Sequence, residues 1–174
     1  MIEIKPCERE SDFLFARQVV KDYIHWLNMD LSFQDIDKEL SDLPSIYGPP
    51  KGLFLLAWDE NELAGGVGLR MLEPGVCEMK RLYVYDHFKN KGVGRSLCTA
   101  LIREARNLGY KKMRLDTLGR MKSAIRLYRS LGFKEIEAYR FNPNPTTKYM
   151  ELSLLLIQIY QALFTIHLSR FTLD

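Results

Sequence analysis

Cysteine is scarce in this sequence, with three residues in 174, and none of them lies in a C-x-x-C pair. Because Cys7, Cys77 and Cys98 are odd in number and widely spaced, they exclude a disulfide framework and predict no zinc site. The three histidines are equally isolated, so no metal-ligand spacing is present. We therefore predict reduced thiols, a cytoplasmic location and no bound metal.

An excess of charge of either sign is also missing, since the formal net charge is only +3. Such a small excess does not favour nucleic acid as a partner. The amino terminus, Met1 to Lys5, has neither the basic start nor the apolar run of a signal peptide, and it predicts a strand. Because no repeat or low-complexity linker divides the chain, its length predicts one domain over residues 1–154.

Residues 155–174 form an apolar extension after this domain. The stretch from Leu154 to Leu168 carries no charge when its histidine is neutral, and its few polar side chains form one narrow stripe. This pattern favours an amphipathic helix that packs on the domain or on a partner subunit, so a homodimer is possible. The stretch is too short and too polar to favour a membrane span.

Hydrophobic periodicity predicts the order strand, two helices, three strands, helix, strand, helix and two strands. The first helix is capped at Ser11-Asp12 and buries a face with Phe15 and Trp26, and the second begins at Ser32. The second helix is predicted to end at the prolines Pro44, Pro49 and Pro50. Three antiparallel strands follow, over Gly52–Trp58, Leu63–Met71 and Val76–Tyr85. The order predicts an α/β (α+β) fold with a mixed, mostly antiparallel sheet flanked by helices.

Charge is unevenly distributed along the chain. From Lys80 to Arg95 the local charge is +4, and from Asp30 to Asp42 it is −4. The acidic run is typical of a solvated helix face. It is equally placed to attract a cationic substrate, and both interpretations stay open at this stage.

The segment Lys89-Asn90-Lys91-Gly92-Val93-Gly94-Arg95 follows a strand and opens a helix. Unpaired backbone N–H groups and the positive end of the helix meet there, and glycines let a ligand approach the backbone closely. The lysines and the arginine add positive charge, so the segment predicts a phosphate site. By itself, a glycine pair is as typical of a tight turn between strand and helix.

Two stretches of the chain resemble the GNAT superfamily of N-acetyltransferases. One runs from Cys77 to Arg95, and the other is the helix Ala124-Ile125-Arg126-Leu127-Tyr128-Arg129-Ser130-Leu131-Gly132-Phe133, with the pattern A-x-x-L-Y-x-x-L-G-F. The element order over residues 1 to about 154 also agrees. The resemblance implies a GNAT-like fold, acetyl-CoA as co-substrate and direct transfer of its acetyl group to a primary amine in a ternary complex.

The resemblance also implies roles for individual residues. Leu82, Tyr83 and Val84 offer backbone groups to the pantetheine arm, and an N–H near Val84 stabilises the oxyanion. Tyr128 is the general acid and Glu78 the base. The other implied cofactor-binding residues are Lys89, Asn90, Lys91, Gly92, Val93, Gly94, Arg95, Ser96 and Ala124. The chain departs from the family pattern with Lys89 in place of Arg or Gln, and with Met121 where Asn is frequent.

Structural interpretations stand beside these roles. Tyr128 also fits a packed aromatic residue on a helix, and Glu78 also fits an ion pair with Arg81 or Lys80. Asp116 and Thr117 end a strand where ligand-facing residues collect, or they cap the next turn. The acceptor is a small-molecule or peptide amine, cationic if the acidic run attracts it.

Two other functions fit parts of the sequence. A catalytically weak or inactive sensor or subunit that binds acyl-CoA would retain the fold and account for the unusual Lys89 and Met121. A nucleotide-binding oxidoreductase-type domain would use Gly92-Val93-Gly94 as its phosphate loop and Asp116 as the acid that binds the ribose.

Overall fold

The computed structural model describes residues 1–29 and 35–155. These residues form a seven-stranded sheet with helices packed on both faces. The strands are β1 Ile2–Pro6, β2 Leu53–Asp59, β3 Glu62–Glu73, β4 Val76–Val84, β5 Lys112–Leu118, β6 Lys134–Ile136 and β7 Thr147–Ser153. The helices are α1 Glu10–Leu27, α2 Ile36–Ser41, α3 Leu43–Tyr47, α4 Val93–Asn107 and α5 Lys122–Ser130, with a 3₁₀ turn at Asp86–Phe88.

The strands lie in the order β1-β2-β3-β4-β5-β7-β6. Among the described strand pairs, β4 and β5 alone run parallel, and every other neighbouring pair is antiparallel. This confirms the predicted fold class. It also argues against a doubly wound nucleotide-binding domain, which needs a mostly parallel sheet.

Strand β2 shows how the sheet divides the core. Successive side chains of a strand point to opposite faces. Phe54 therefore packs beneath α1 and α3 with Val19, while its neighbour Leu55 packs on the other side with Leu97 and Leu101 of α4. The run is apolar throughout because both faces of the sheet are covered.

Helix α1 begins earlier than predicted, and its buried face is different. Asp12 does cap the helix, but from its third position, where the carboxylate accepts a hydrogen bond from the N–H of Arg9 at 2.9 Å. The prediction was wrong for Phe15 and Trp26, which are 44% and 45% exposed. The ring of Phe15 packs edge-on against Trp58 at the border of the sheet, with 5.0 Å between centroids.

The predicted second helix is divided in two. Asp42 has φ −145° and ψ 62°, which breaks the helix, and its side chain accepts a hydrogen bond from the N–H of Ser45 at 3.2 Å to cap α3. Pro44 lies in the first turn of α3, where no N–H is needed, so it begins a helix instead of ending one. Asp35 precedes α2 in the left-handed region, and Ser32 lies outside the described residues.

A bulge in β4 separates the two parallel strands. Arg81 adopts φ +58°, and the pairing of β4 with β3 shifts register between Gly66 and Gly68. Strand β5 pairs with β4 only over Val76 to Glu78. Beyond Glu78 the two strands part, and one edge of β4 is left without a neighbouring strand.

Two predictions concern the end of the chain and membranes. The predicted apolar helix over residues 155–174 lies outside the described residues from 156 onwards. Within the described ranges, none of the helices has the length and apolar character that crossing a membrane requires.

Candidate active site

A cleft of about 1010 Å³ opens where β4 and β5 part. The first turns of α4 and α5 form one side, and the end of α1 closes the other. Its lining includes the following predicted site residues: Leu82, Tyr83, Val84, Lys89, Asn90, Gly92, Val93, Gly94, Arg95, Ala124 and Tyr128. Lys91, Ser96 and Glu78 do not line it.

The free edge of β4 presents backbone groups to this cleft. The N–H of Tyr85 donates to the carbonyl of Ala64 on β3 at 3.1 Å. Because successive N–H groups of a strand point to opposite edges, the N–H of Val84 points away from β3, towards the cleft. An extended ligand with amide groups can therefore pair with this edge as an added strand.

The start of α4 forms the second part of the site. Gly92 adopts φ +81° directly before the helix, a conformation that favours glycine. The N–H of Ser96 donates to the carbonyl of Gly92 at 3.0 Å. No residue in the described ranges accepts a hydrogen bond from the N–H groups of Val93, Gly94 or Arg95. These three donors and the positive helix end form an anion site.

Exposed cations surround the anion site. Lys89 pairs with Asp86, and its Nζ lies 5.1 Å from the centre of the Trp26 ring. Arg95 donates to Oγ of Ser130 at 2.8 Å. The basic run was predicted as one patch, and this is wrong for two of its members, Lys80 and Arg81, which are buried on the other side of the cleft.

Tyr128 lies in the cleft with its ring against Phe133, at 5.8 Å between centroids. Within the described part of the chain no group forms a hydrogen bond with its hydroxyl. Burial raises its pKa well above 10.0, so the phenol retains its proton. The position is compatible with both sequence interpretations, since the ring is packed against Phe133 and the residue lines the cleft.

Glu78 is fully buried behind the cleft wall. Arg70 lies 2.9 Å from its Oε2, Arg140 contacts its Oε1, and the hydroxyl of Tyr139 donates to Oε1 at 2.7 Å. The predicted pairing with Arg81 or Lys80 is therefore wrong, and other cations take their place. The role of base stays a prediction for Glu78.

Asp116 is a carboxylate that does line the cleft, and so does its neighbour Thr117. Asp116 accepts hydrogen bonds from Arg140 at 2.9 Å and from Asn142 at 3.2 Å, and Nζ of Lys80 lies 3.6 Å away. Burial lowers the pKa of Lys80 to about 8, against the attraction of Asp116. Its place in the cleft lining fits the ligand-facing interpretation. The Asp116 side chain binds partners from the segment before β7 and so does not cap the next turn.

A buried ion pair joins α2 to the bulge of β4. Arg81 donates to both carboxylate oxygens of Glu39, at 2.9 and 2.7 Å, and the hydroxyl of Tyr47 donates to the same carboxylate at 2.8 Å. The acidic run suggested either a solvated helix face or a surface that attracts cations. Glu39 belongs to neither, because it is buried in this ion pair. Sequence reasoning missed this pair because 42 residues separate its members.

The cysteines take no part in the site. All three are buried free thiols, and none lines the cleft. Burial raises the pKa of each to about 12. A thiolate nucleophile is correspondingly disfavoured at neutral pH.

Comparisons with known proteins agree with this geometry. The sequence profile of the acetyltransferase (GNAT) family matches residues 20–133. An uncharacterized N-acetyltransferase of Schizosaccharomyces pombe is 40% identical over 155 residues, which cover 88% of this chain and 95% of the relative.

Solved structures share the fold. A GNAT-family acetyltransferase of Staphylococcus aureus superposes with a TM-score of 0.72 at 20% identity, over 88% of this chain and 99% of its own. A Salmonella typhimurium acetyltransferase, solved with its cofactor acetyl-CoA, has a TM-score of 0.64 at 19% identity, over 88% of this chain and 94% of its own. Because the family profile spans more than half of the chain, and the yeast relative matches nearly its whole length, the chain belongs to the GNAT family and is an acetyl-CoA-dependent acyltransferase.

Proposed function

We propose that the protein transfers the acetyl group of acetyl-CoA directly to a primary amine that is bound in the same cleft. The observation that carries the proposal is the continuity of three features: the free edge of β4, the anion site at the start of α4, and the hydroxyl of Tyr128. Acetyl-CoA supplies a thioester whose acetyl group an amine can take. The long cleft accommodates both its extended arm and its phosphates.

The backbone of the chain performs the binding. The outward N–H of Val84 faces the position of a thioester carbonyl and stabilises negative charge that develops on its oxygen. The free N–H groups of Val93, Gly94 and Arg95 hold a pyrophosphate. Lys89 and Arg95 add charge at the rim, although Lys89 lacks the planar fork of an arginine.

Two side chains move protons. Tyr128 stays protonated and donates to the departing thiolate sulfur, and the second proton that the attacking nitrogen loses restores its phenol. The attacking ammonium group must first lose a proton, and Asp116 is the carboxylate that lines the cleft. We therefore assign to Asp116, directly or through water, the role that the sequence had suggested for Glu78.

The absence of a cysteine from the cleft lining among the described residues supports direct attack. None of the buried cysteines reaches the cleft, so no thiol is placed to carry the acetyl group between two half-reactions. Double-reciprocal plots of initial rates against both substrates should give intersecting lines, and parallel lines would indicate an acetyl-enzyme instead.

A broad panel of amines should release free coenzyme A. A protein that binds acetyl-CoA but releases none with any amine would be the inactive sensor.

Gly92→Ala should weaken acetyl-CoA binding about tenfold, since it strains the turn that aims the amides of α4. The matched control is Gly109→Ala at the other end of α4, where φ is +83° and, as at Gly92, a Cβ would meet nothing within 4 Å. Both variants should lose about 1 kcal/mol of stability through the left-handed conformation. Only Gly92→Ala should raise the Kd for acetyl-CoA in a calorimetric titration. Equal Kd values for the two variants would contradict the proposal that the start of α4 binds the phosphates of acetyl-CoA.

Asp116→Asn should lower kcat about 100-fold, because the neutral amide cannot accept the proton of the ammonium group. Glu78→Gln should act mainly on stability, with a loss of about 3 kcal/mol, because the half-buried Arg70 and Arg140 would lie beside a neutral side chain. Stopped assays of free coenzyme A, normalised to folded protein, separate the two effects. A 100-fold loss for Glu78→Gln alone would return the base to Glu78.

A further inference from the structure

A second cavity of about 400 Å³ lies beside the cleft and shares Lys80 and Arg81 with it. Apart from Arg140, which pairs with Asp116 at 2.9 Å, the proposed transfer of the acetyl group uses none of its other residues. Its lining is Asp35, Lys38, Glu39, Ile46, Arg70, Lys80, Arg81, Arg140 and Phe141. Five of these side chains are cationic and two are acidic.

Two of the carboxylates at this cavity, Glu39 and Glu78, are already engaged. Glu39 accepts from Arg81 through both oxygens, so this pair is neutral. Arg70 and Arg140 converge on the buried carboxylate of Glu78, and Arg140 also pairs with Asp116 at 2.9 Å. Nε of Arg140 is buried and has no hydrogen-bond partner among the described residues. One guanidinium donor of a residue that lines the cavity thus has no acceptor among the described residues.

Burial and then the neighbouring Arg70 oppose the charge of Arg140, and they lower its pKa to about 10 although Glu78 and Asp116 contact it. A bound anion would reverse the effect of both, since it offsets the positive charge and supplies the missing acceptor. Arginine forks match the planar carboxylate group in particular.

We propose that this cavity binds the carboxylate of the acceptor, which makes the acceptor an amino acid or a similar small amine with a carboxylate. The inference rests on the proposed function and names its substrate class. The acceptor's amine lies in the cleft and its carboxylate reaches Arg140 and Arg70 across the shared wall at Lys80 and Arg81. The exposed ring of Phe141 flanks the cavity and gives an apolar side chain a surface to contact. This class replaces the cationic acceptor that the acidic run suggested.

The direct test compares L-amino acids with their own carboxamides, which have nearly the same size but no negative charge. The full-length protein is assayed with acetyl-CoA and each member of a pair, and kcat/KM is measured from the release of coenzyme A. We expect at least a tenfold preference for the carboxylate in one or more pairs. The ammonium group of a carboxamide loses its proton more readily, so chemical reactivity alone favours the opposite order. A consistent preference for carboxamides or for cationic amines would overturn the inference and leave the acetyltransferase intact.

Variants locate the preference in the cavity. Arg140→Gln should reduce it at least tenfold, and Lys38→Gln, an exposed change with little risk to folding, should reduce it about twofold to threefold. Lys134→Gln on β6 removes an exposed lysine that does not line the cavity and should change nothing. A preference that survives Arg140→Gln and Lys38→Gln in folded protein would contradict the assignment.

Binding of product analogues is measured without turnover. N-acetyl-amino acids should protect the protein against thermal unfolding more than their N-acetyl carboxamides do, and Arg140→Gln should abolish the difference. Protection without any release of coenzyme A would reject the transferase proposal yet support the carboxylate site. Absence of protection by every carboxylate probe at millimolar concentration would reject the site.

Discussion

Replacing Tyr128 with phenylalanine is expected to lower kcat about 100-fold and to leave the Kd for acetyl-CoA nearly unchanged. The phenylalanine ring retains the contact with Phe133, so packing in the cleft is preserved. Only the hydroxyl is lost, and with it the proton for the departing sulfur. Rapid-quench measurement of a single turnover, together with a titration of acetyl-CoA, tests both parts of the expectation.

Tyr110→Phe is the matched control for this change. Tyr110 is also buried, but its hydroxyl donates to the carbonyl of Lys51 at 2.5 Å and it does not line the cleft. This variant should lose about 1 kcal/mol of stability through the missing hydrogen bond and retain its kcat. If Tyr128→Phe behaved in the same way, Tyr128 would be a packed aromatic residue only.

The pH dependence of kcat follows from the raised pKa of Tyr128. A general acid acts only while it is protonated, and its activity is lost as the pH rises through its pKa. Because burial holds this pKa well above 10.0, Tyr128 should cause no decline in kcat up to pH 10. A decline near the ordinary tyrosine pKa, absent from Tyr128→Phe, would show that the phenol is more exposed than the structure indicates.

Removal of the Glu39 carboxylate by Glu39→Ala is expected to lower the free energy of unfolding by about 3–5 kcal/mol, the range for breaking a buried ion pair. Glu39 and Arg81 each have 3% of the side chain exposed. The variant leaves the guanidinium buried without its carboxylate and leaves the hydroxyl of Tyr47 without its acceptor. Denaturation in urea measures the loss.

Helix α2 supplies its own control. Asp37 is exposed on the same helix, and Asp37→Asn should change stability by less than about 0.5 kcal/mol. The double variant Glu39→Gln with Arg81→Met removes both charges and should recover most of the loss. Equal stability of Glu39→Ala and Asp37→Asn would place Glu39 on a solvated face, as the acidic run first suggested.

The acidic run from Asp30 to Asp42 and the basic run from Lys80 to Arg95 each contain both exposed and buried charges. The sequence did not predict the buried ones. Both runs were treated as surfaces because charge is usually solvated, and for Asp37 and Lys89 that holds. Glu39 and Arg81 belong to the same runs but meet inside the protein. Their encounter depends on the bulge of β4, and no periodicity in the sequence reports on a bulge.

The position of Glu78 shows the same limit, while its role as base stays a prediction. Glu78 was chosen because it lies on the strand that leads to the phosphate loop. In the structure its side chain turns away from the cleft, to Arg70 and Arg140. The alternation of side chains along a strand predicts that neighbouring residues point to opposite faces of the sheet. It does not predict which face binds the ligand.

By itself the sequence predicted the sheet class, the order of the elements apart from the division of the second helix, and the helix start at Gly92, because these depend on local signals: hydrophobic period, turn residues and a free helix terminus. Tertiary structure alone decided which charges are buried and which carboxylate faces the cleft. Those outcomes depend on contacts between residues far apart in the chain, such as Arg140 with Asp116 and Arg81 with Glu39. The energy of a charge is set by its neighbours in space, and these neighbours exist only after the chain has folded.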